Sequence, residues 1–371
     1  MIGDAIGDAI GGVTRARRIA DPPLLRHTRS GAMGSRHLRV TIKDVSRVSG
    51  VSIKTVSRVL NKERYVGVET RAKVEAAVAE LNFRPSTAAR SLAGKRSFQI
   101  ALICDNPSPY YVYEMQSGIR DRCAQDGVRM IAQPYDRNAD TLLDDIENLV
   151  DATHVDGLIL TPPISDHPQV LDLLARRGVR FVRVSPGSGV ELASSTFIDN
   201  KEAARVMTTH LLDLGHRRIG FIAGHPSYAT SGQRMRGYAR ALGQEGVPLD
   251  PVLVREGSYD FASGARAAED LLALRERPTA IFASSDDMAA GALTAAHRRG
   301  LAVPGQLSVA GFDDTALAGF VWPPLTTIRQ PTREMAYQAA DLLLSPADAP
   351  IEQREVRFEL IVRESTGPVR T

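Results

Sequence analysis

Thr41–Asn61 reads TIKDVSRVSGVSIKTVSRVLN, two short amphipathic stretches meeting at a glycine and rich in cations. A threonine followed three residues later by an acid, Thr41 then Asp44, opens a helix, because each side chain satisfies a free amide of the first turn. Ile42, Val45 and Val48 then share one face, and Gly50 supplies a tight turn with Val51 as its apolar plug. Ser52 caps a second helix whose Val56, Val59 and Leu60 point back at the first. Ile53, Lys54, Ser57 and Arg58 are left facing outward. Lys54 and Arg58 are four apart and share a face, where long cations near the start of a recognition helix reach base edges in the major groove. Thr55 and Asn61 suit phosphate oxygens, and Thr41 and Ser52, at the two helix starts, complete the expected DNA-facing set. Two short helices around a glycine also occur in helical cores that bind nothing, so the flanking residues have to decide.

Glu69–Leu81 predicts a third helix with Val74, Val78 and Leu81 as its stripe, and Arg84-Pro85 ends it, since a residue before proline avoids the helical region. Ser86–Gly94, STAARSLAG, is a run of small residues with one large apolar side chain, Leu92. From Val40 to Gly94 the chain resembles the headpiece of the lactose-repressor (LacI) family of bacterial transcription regulators, through TIKDV, SGVSIKTVSRVLN, TRAKVEAAVAELNFRP and ARSLAGKRS. That resemblance implies a hinge helix after Pro85 that orders on operator DNA, with Leu92 as a minor-groove wedge and Ala89 its neighbour on the groove floor, consistent with apolar side chains that unstack a base step.

Charge is distributed to match. The whole chain of 371 residues carries only +3, but Arg36–Ser97 holds 14 Lys and Arg against 5 Asp and Glu, a net of +9, while Phe98 onward is −8. A phosphate-binding module needs such a basic footprint, and the remainder would be repelled by DNA. The length exceeds one ordinary domain, and 43% apolar residues suffice for sizeable cores. Two cysteines, Cys104 and Cys123, in so long a chain argue for a reducing compartment and small buried thiols, not a disulfide framework. Residues 1–37 fit nothing else: they are either a disordered basic arm or lie mostly upstream of a true start at Met33, the reading favoured by the MGSRHLRVTIKDV spacing. Asp4 and Asp8 interrupt their one apolar run and the basic residues follow it, so this is not a signal peptide. No stretch approaches the ~20 apolar residues of a membrane span. A soluble protein of the bacterial cytoplasm, associated with the nucleoid, is expected.

From Phe98 short apolar runs alternate with helical patterns. FQIALIC, RMIAQ, GLILT and RFVRV form one series and RIGFIAG, PVLVR, AIFAS and LSVAGF a second, with helices such as Tyr111–Gln125 and Lys201–Leu214 between. Such alternation means βαβ units. The fold expected is a small all-α helix-turn-helix headpiece over 38–84, a hinge helix and linker over 85–97, and an α/β effector domain over 98–371. That domain is read as two doubly wound parallel-sheet lobes, with the break between about Ser195 and Arg218. Ligands of open sheets bind beyond the carboxyl ends of strands, so facing lobes make a cleft.

GHRRIGFIAG, RMRGYARAL, RPTAIFASSDDMAAGAL, GLAVPGQLSVAGFDDT and PPLTTIRQP resemble the effector domain of the same family, itself similar to periplasmic sugar-binding proteins. The resemblance implies that Arg234 and Asp313 bind ligand hydroxyls, that Tyr259 stacks on the ligand, and that Asp105 ends the first strand nearby. Ser285 stands where the family usually has asparagine, which puts the usual ligand set in doubt, and Gln330 completes the implied set. Tyr110 or Tyr111 in NPSPYYVY, and Arg183 at the end of RFVRV, are further candidates. Arginine, carboxylate and an aromatic face suit a polyhydroxylated sugar; the same fold in this family also binds purines, so a nucleobase or other metabolite is the alternative effector. Asp286-Asp287 reads as an acidic helix start, not a metal pair.

The chain stops after the strand-like VRFELIVRES, leaving no room for a tetramerising heptad helix, so a homodimer on a pseudo-palindromic operator is expected. Effector binding would shift one lobe against the other and change the separation of the hinge helices. An enzyme would need a nucleophile elbow, phosphate loop or metal cluster, and GxSxG, GxxxxGK[ST], HExxH and GxGxxG are all absent. No cofactor or metal is expected.

Overall fold

The computed structural model describes residues 40–60, 65–83, 96–136 and 139–369. The start-site question, most of the hinge segment and the expected DNA contacts Asn61, Ala89 and Leu92 lie outside the described residues. The chain divides at Pro85 into two units.

The first unit holds α1 (Ile42–Ser49), α2 (Ile53–Leu60) and α3 (Val68–Glu80). Asp44 accepts from the backbone amide and the hydroxyl of Thr41, at 3.0 and 2.8 Å, while its own amide goes to the Thr41 carbonyl at 3.0 Å. Gly50 ends α1 at φ 67°, a left-handed conformation that costs glycine little. Ser52 caps α2 by accepting from the Thr55 amide at 3.3 Å. Val45, Val56 and Val74 are fully buried, one from each helix, and form a core with Val59, Ala77 and Phe83. Val48 departs from expectation and is 41% exposed. It lies about 60° round the helix from Val45, on the side away from Ile42, and the core contacts fall on the Ile42 side.

The second unit runs β1 (Gln99–Cys104), α4 (Pro109–Asp126), β2 (Arg129–Pro134), α5 (Leu142–Thr153), β3 (Leu158–Leu160), α6 (Pro168–Arg176), β4 (Phe181–Val184) and β5 (Ser195–Phe197). It continues through α7 (Asn200–Asp213), β6 (Ile219–Ala223), α8 (Ala229–Gln244), β7 (Val254–Glu256), α9 (Phe261–Leu272), β8 (Ala280–Ala283), α10 (Asp286–Arg298), β9 (Ser308–Asp313), α11 (Ala316–Phe320) and β10 (Thr326–Arg329). It closes with α12 (Thr332–Leu344), β11 (Gln353–Glu355) and β12 (Glu359–Ile361). One sheet has the order β11-β5-β4-β3-β1-β2 and the other β12-β10-β9-β8-β6-β7. All pairings are parallel except β10 with β12.

Central strands are buried on both faces, which is why they read as continuous apolar runs. Ile100 and Leu102 join one core while Ala101 and Ile103 join another across the sheet; Phe282 and Ile281 divide in the same way in the second lobe. PVLVR is only partly a strand. Pro251 has no amide to donate, and Pro251–Leu253 form a 3-10 turn capped by Asp250 before β7 begins.

The two lobes are not the two sequential halves expected. The chain crosses between sheets three times, after β5, after β10 and after β11, so that α12 and β11 return to the first lobe. VRFELIVRES is accordingly not one strand: β11 ends at Glu355 in one sheet and β12 begins at Glu359 in the other. Three crossovers therefore join the lobes, connections of the kind at which a few residues can absorb a hinge rotation.

Candidate functional site

On the helical unit Thr41, Ser52, Ile53, Lys54 and Arg58 are exposed, and Thr55 and Ser57 half-buried. Val56 and Val59 anchor the opposite side of α2 in the core, so packing leaves the N-terminal, cationic side of that helix facing water. An apolar residue there, Ile53, is 45% exposed. Of the four residues the sequence predicts to face outward, Ile53, Lys54 and Arg58 are exposed and Ser57 is half-buried.

In the α/β unit a small cavity of ≈ 40 Å³ lies where the strands of both sheets end. Arg234, Tyr259, Asp313, Gln330 and Tyr111 line it, as expected. Arg234 is 4% exposed. Its Nε donates to Asn200 Oδ1 at 2.9 Å, one terminal nitrogen to the Ser284 carbonyl at 2.5 Å and the other to Gln330 Oε1 at 3.4 Å. The guanidinium carbon stands 3.5 Å from the centre of the Phe312 ring, a cation–π contact, and Asp313 lies 3.9 Å from a terminal nitrogen.

Burial pushes the Asp313 carboxyl up to about 7; Arg234 opposes that rise and Asp287 adds to it. A carboxyl poised there both donates and accepts near neutral pH. Asp286 is a different kind of acid. It is fully buried, and burial followed by the charge of Asp313 pushes it well up. It accepts from the Thr315 amide at 2.7 Å, the Thr315 hydroxyl at 3.2 Å and the Thr327 hydroxyl at 2.7 Å. That set fastens the start of α10 to β10 and the loop after β9, a larger structural role than a favourable charge at a helix start.

Tyr259 sits at φ 62°, Ser185 at 46° and Asp313 at 111°, three cavity residues in conformations that side chains other than glycine rarely adopt. Strain of this kind collects where a site needs an otherwise costly geometry. Gly224 makes room for the ring of Tyr259, because a Cβ there would fall inside it.

Four expected residues lie elsewhere. Arg183 is 1% exposed and turns back beneath its own loop, where it donates to the carbonyls of Ser165, Ser188 and Gly189 and to Asp166 at 2.6–2.8 Å. With those bonds made it does not reach the cavity. Ser285 caps α10, accepting from the Met288 amide at 3.2 Å, so the short side chain serves the helix. Asp105 contributes its backbone carbonyl to the interlobe contact with Tyr228, and its neighbour Asn106 lines the cavity in its place. Tyr110 lines not the cavity but a broader groove of ≈ 820 Å³ along α4, α12 and the loop after β9, which shares Tyr111, Asp313 and Gln330 with the cavity.

The sequence reading missed Asn106, Pro162, Ser185, Tyr228 and Thr230 among the lining residues. Tyr228 and Thr230 follow β6 in GHPSYATS, and the end of a β-strand is itself the signal for such positions. Two hydrogen bonds cross between lobes beside the cavity. Tyr228 Oη donates to the Asp105 carbonyl and Ser108 Oγ to the Asp287 carboxylate, both at 2.7 Å.

Residues 41–86 match the family model described as bacterial regulatory proteins, lacI family, and residues 208–366 that of a periplasmic binding protein-like domain. The chain is 34% identical over 330 residues to the HTH-type transcriptional repressor PurR of Photobacterium profundum, covering 88% of this chain and 98% of that one. It is 33% identical over 331 residues to the ribose operon repressor of Haemophilus influenzae, covering 89% and 97%. Among solved structures, the Lac repressor dimer bound to operator and the anti-inducer ONPF superposes with a TM-score of 0.72 at 31% identity, covering 88% of this chain and 99% of that one.

Proposed function

The chain belongs to the lacI family of bacterial regulatory proteins, and from that premise we propose that it represses carbohydrate-use genes under the control of a sugar held between its lobes. It is a DNA-binding transcriptional repressor and not an enzyme. The observation that carries the sugar reading is the buried pair Arg234 and Asp313 in one cavity with the rings of Tyr111, Tyr228 and Tyr259. A sugar ring offers hydroxyl edges to the charged groups and C–H faces to the rings. The cavity as it stands has room for a few waters, so a sugar enters only when the lobes part, and closing on it moves one lobe against the other.

On the helical unit, Ile53 and Lys54 are assigned to base edges, with Arg58 beside them, and Thr41, Ser52, Thr55 and Ser57 to the backbone. Asn61, Ala89 and Leu92 complete the assignment from sequence alone. Phe320 and Trp322, 76% and 74% exposed, support a homodimer reading a pseudo-palindromic operator, since large apolar side chains this exposed mark interaction surfaces.

A nucleobase is the second reading, favoured by three tyrosine rings around one small cavity. A thermal-shift screen of the full chain against sugars, sugar phosphates and nucleobases separates the two, because a cavity ligand stabilises by mass action. A sugar hit lost in Arg234→Ala supports the proposal. A nucleobase hit replaces it.

A further inference from the structure

Two of the three interlobe crossovers end on the same guanidinium. Asn200, 2% exposed, is the first residue after the first crossover. Its side-chain nitrogen donates to the Ile198 carbonyl at 3.3 Å, within that crossover, and its oxygen accepts from Arg234 Nε. Gln330 lies in the second crossover, between β10 and α12. It repeats the arrangement more loosely, with its nitrogen 3.5 Å from Thr332 Oγ1 and its oxygen 3.4 Å from a terminal nitrogen of Arg234.

We propose that Arg234 is the tie between these two crossovers, with Asn200 and Gln330 as positioning residues, so that engagement of the guanidinium by a cavity ligand is felt directly where the lobes hinge. A guanidinium has five N–H donors. Asn200, Ser284 and Gln330 take one each, and Phe312 holds the plane of the group from one face. The remaining donors are available to a ligand. A ligand oxygen that accepts from the second N–H of the terminal nitrogen facing Gln330 draws that nitrogen towards itself and stretches the 3.4 Å bond to Gln330, the weakest of the three, while the 2.9 Å bond to Asn200 stays in place. The first crossover therefore acts as the fixed end and the second as the end that moves, which a purely structural arginine would not distinguish.

This tie rests on the cavity being the effector site, but its test needs no effector, so the two fail separately. Amide hydrogen exchange is followed on the full, unliganded chain in peptides spanning residues 197–201 and 329–333, with β3 as reference. Asn200→Ala is expected to speed exchange in both crossovers by roughly threefold or more, the loss of one hydrogen bond, although Gln330 is untouched. Asn200→Asp keeps an oxygen for Arg234 Nε and is expected to return 329–333 to the parental rate. Should Asn200→Ala not fold, Arg234→Lys, which keeps the charge and loses Nε, is expected to speed both crossovers. A rise confined to 197–201, an equal rise in β3, or no recovery with aspartate would overturn the tie.

Discussion

Tyr228 Oη donates to the backbone carbonyl of Asp105 over 2.7 Å, from the second lobe to the first. With Ser108 and Asp287 it holds the cavity shut, and each bond contributes only the modest net amount of an intramolecular hydrogen bond. Tyr228→Phe and Ser108→Ala should each weaken binding of the cavity ligand, by roughly two- to tenfold. Titration calorimetry reads the change directly. Unchanged affinity in both would mean that closure does not depend on these contacts.

Asp313 carries the clearest pH signature. Its carboxyl rises from an ordinary 3.8 to about 7 on folding, chiefly through burial. Between those values the folded state binds more protons than the unfolded one, so this group's contribution to stability falls as pH rises from about 4 to about 7 and then levels. Asp313→Asn removes the buried charge. Its unliganded melting temperature should exceed the parent's at pH 8, by roughly 2–4 °C for each kcal/mol recovered, with the difference closing towards pH 4. A pH-independent difference would contradict the assignment.

Two histidines, His216 buried and His210 half-buried, act in the opposite sense. His216 bridges Thr279, Ser308 and the Gly367 carbonyl, and His210 meets Thr366, so together they hold the C-terminal segment to the second lobe. Burial pushes both below the ordinary 6.5; His210 further depresses His216, while Asp213 opposes the fall at His210. The unfolded state then binds the extra protons, so stability is full above pH 6.5 and is lost as pH falls below it. Exchange at 365–369, corrected for intrinsic rates, should accelerate between pH 6.5 and 5 and do so less in His216→Gln. Equal acceleration in the variant would show that another group titrates.

In the helical unit the test is packing. Val56→Ala, at a fully buried site, should cost about 1–3 kcal/mol and reduce operator binding. Val48→Ala should stay within about 0.5 kcal/mol because its side chain already meets water. Equal losses in thermal melts would restore Val48 to the core.

What the sequence disclosed follows from what periodicity encodes. Val45, Val56 and Val74 stood out because a helix buries one stripe, and Ile100–Cys104 because a central parallel strand is buried on both faces. Periodicity carries no record of which sheet a strand joins, so the return of α12 and β11 to the first lobe was hidden. Arg234 and Asp313 were legible through their motifs, whereas Arg183 misled because a strand-end arginine is long enough to satisfy itself on its own loop. Ser285 misled because a serine that begins a helix is consumed as its cap. Asn200 gave no signal at all: its role depends on an arginine 34 residues away in sequence.

Ligand binding in the Arg234 cavity is proposed to control operator affinity. Its most direct measurement is fluorescence anisotropy of the full chain on an operator selected from random DNA, with and without the sugar found by thermal shift. The sugar should change operator affinity by at least about fivefold, the lower end of typical allosteric coupling, and that change should disappear in Arg234→Ala, measured against the variant's own unliganded binding. A ligand effect that survives in Arg234→Ala would contradict it.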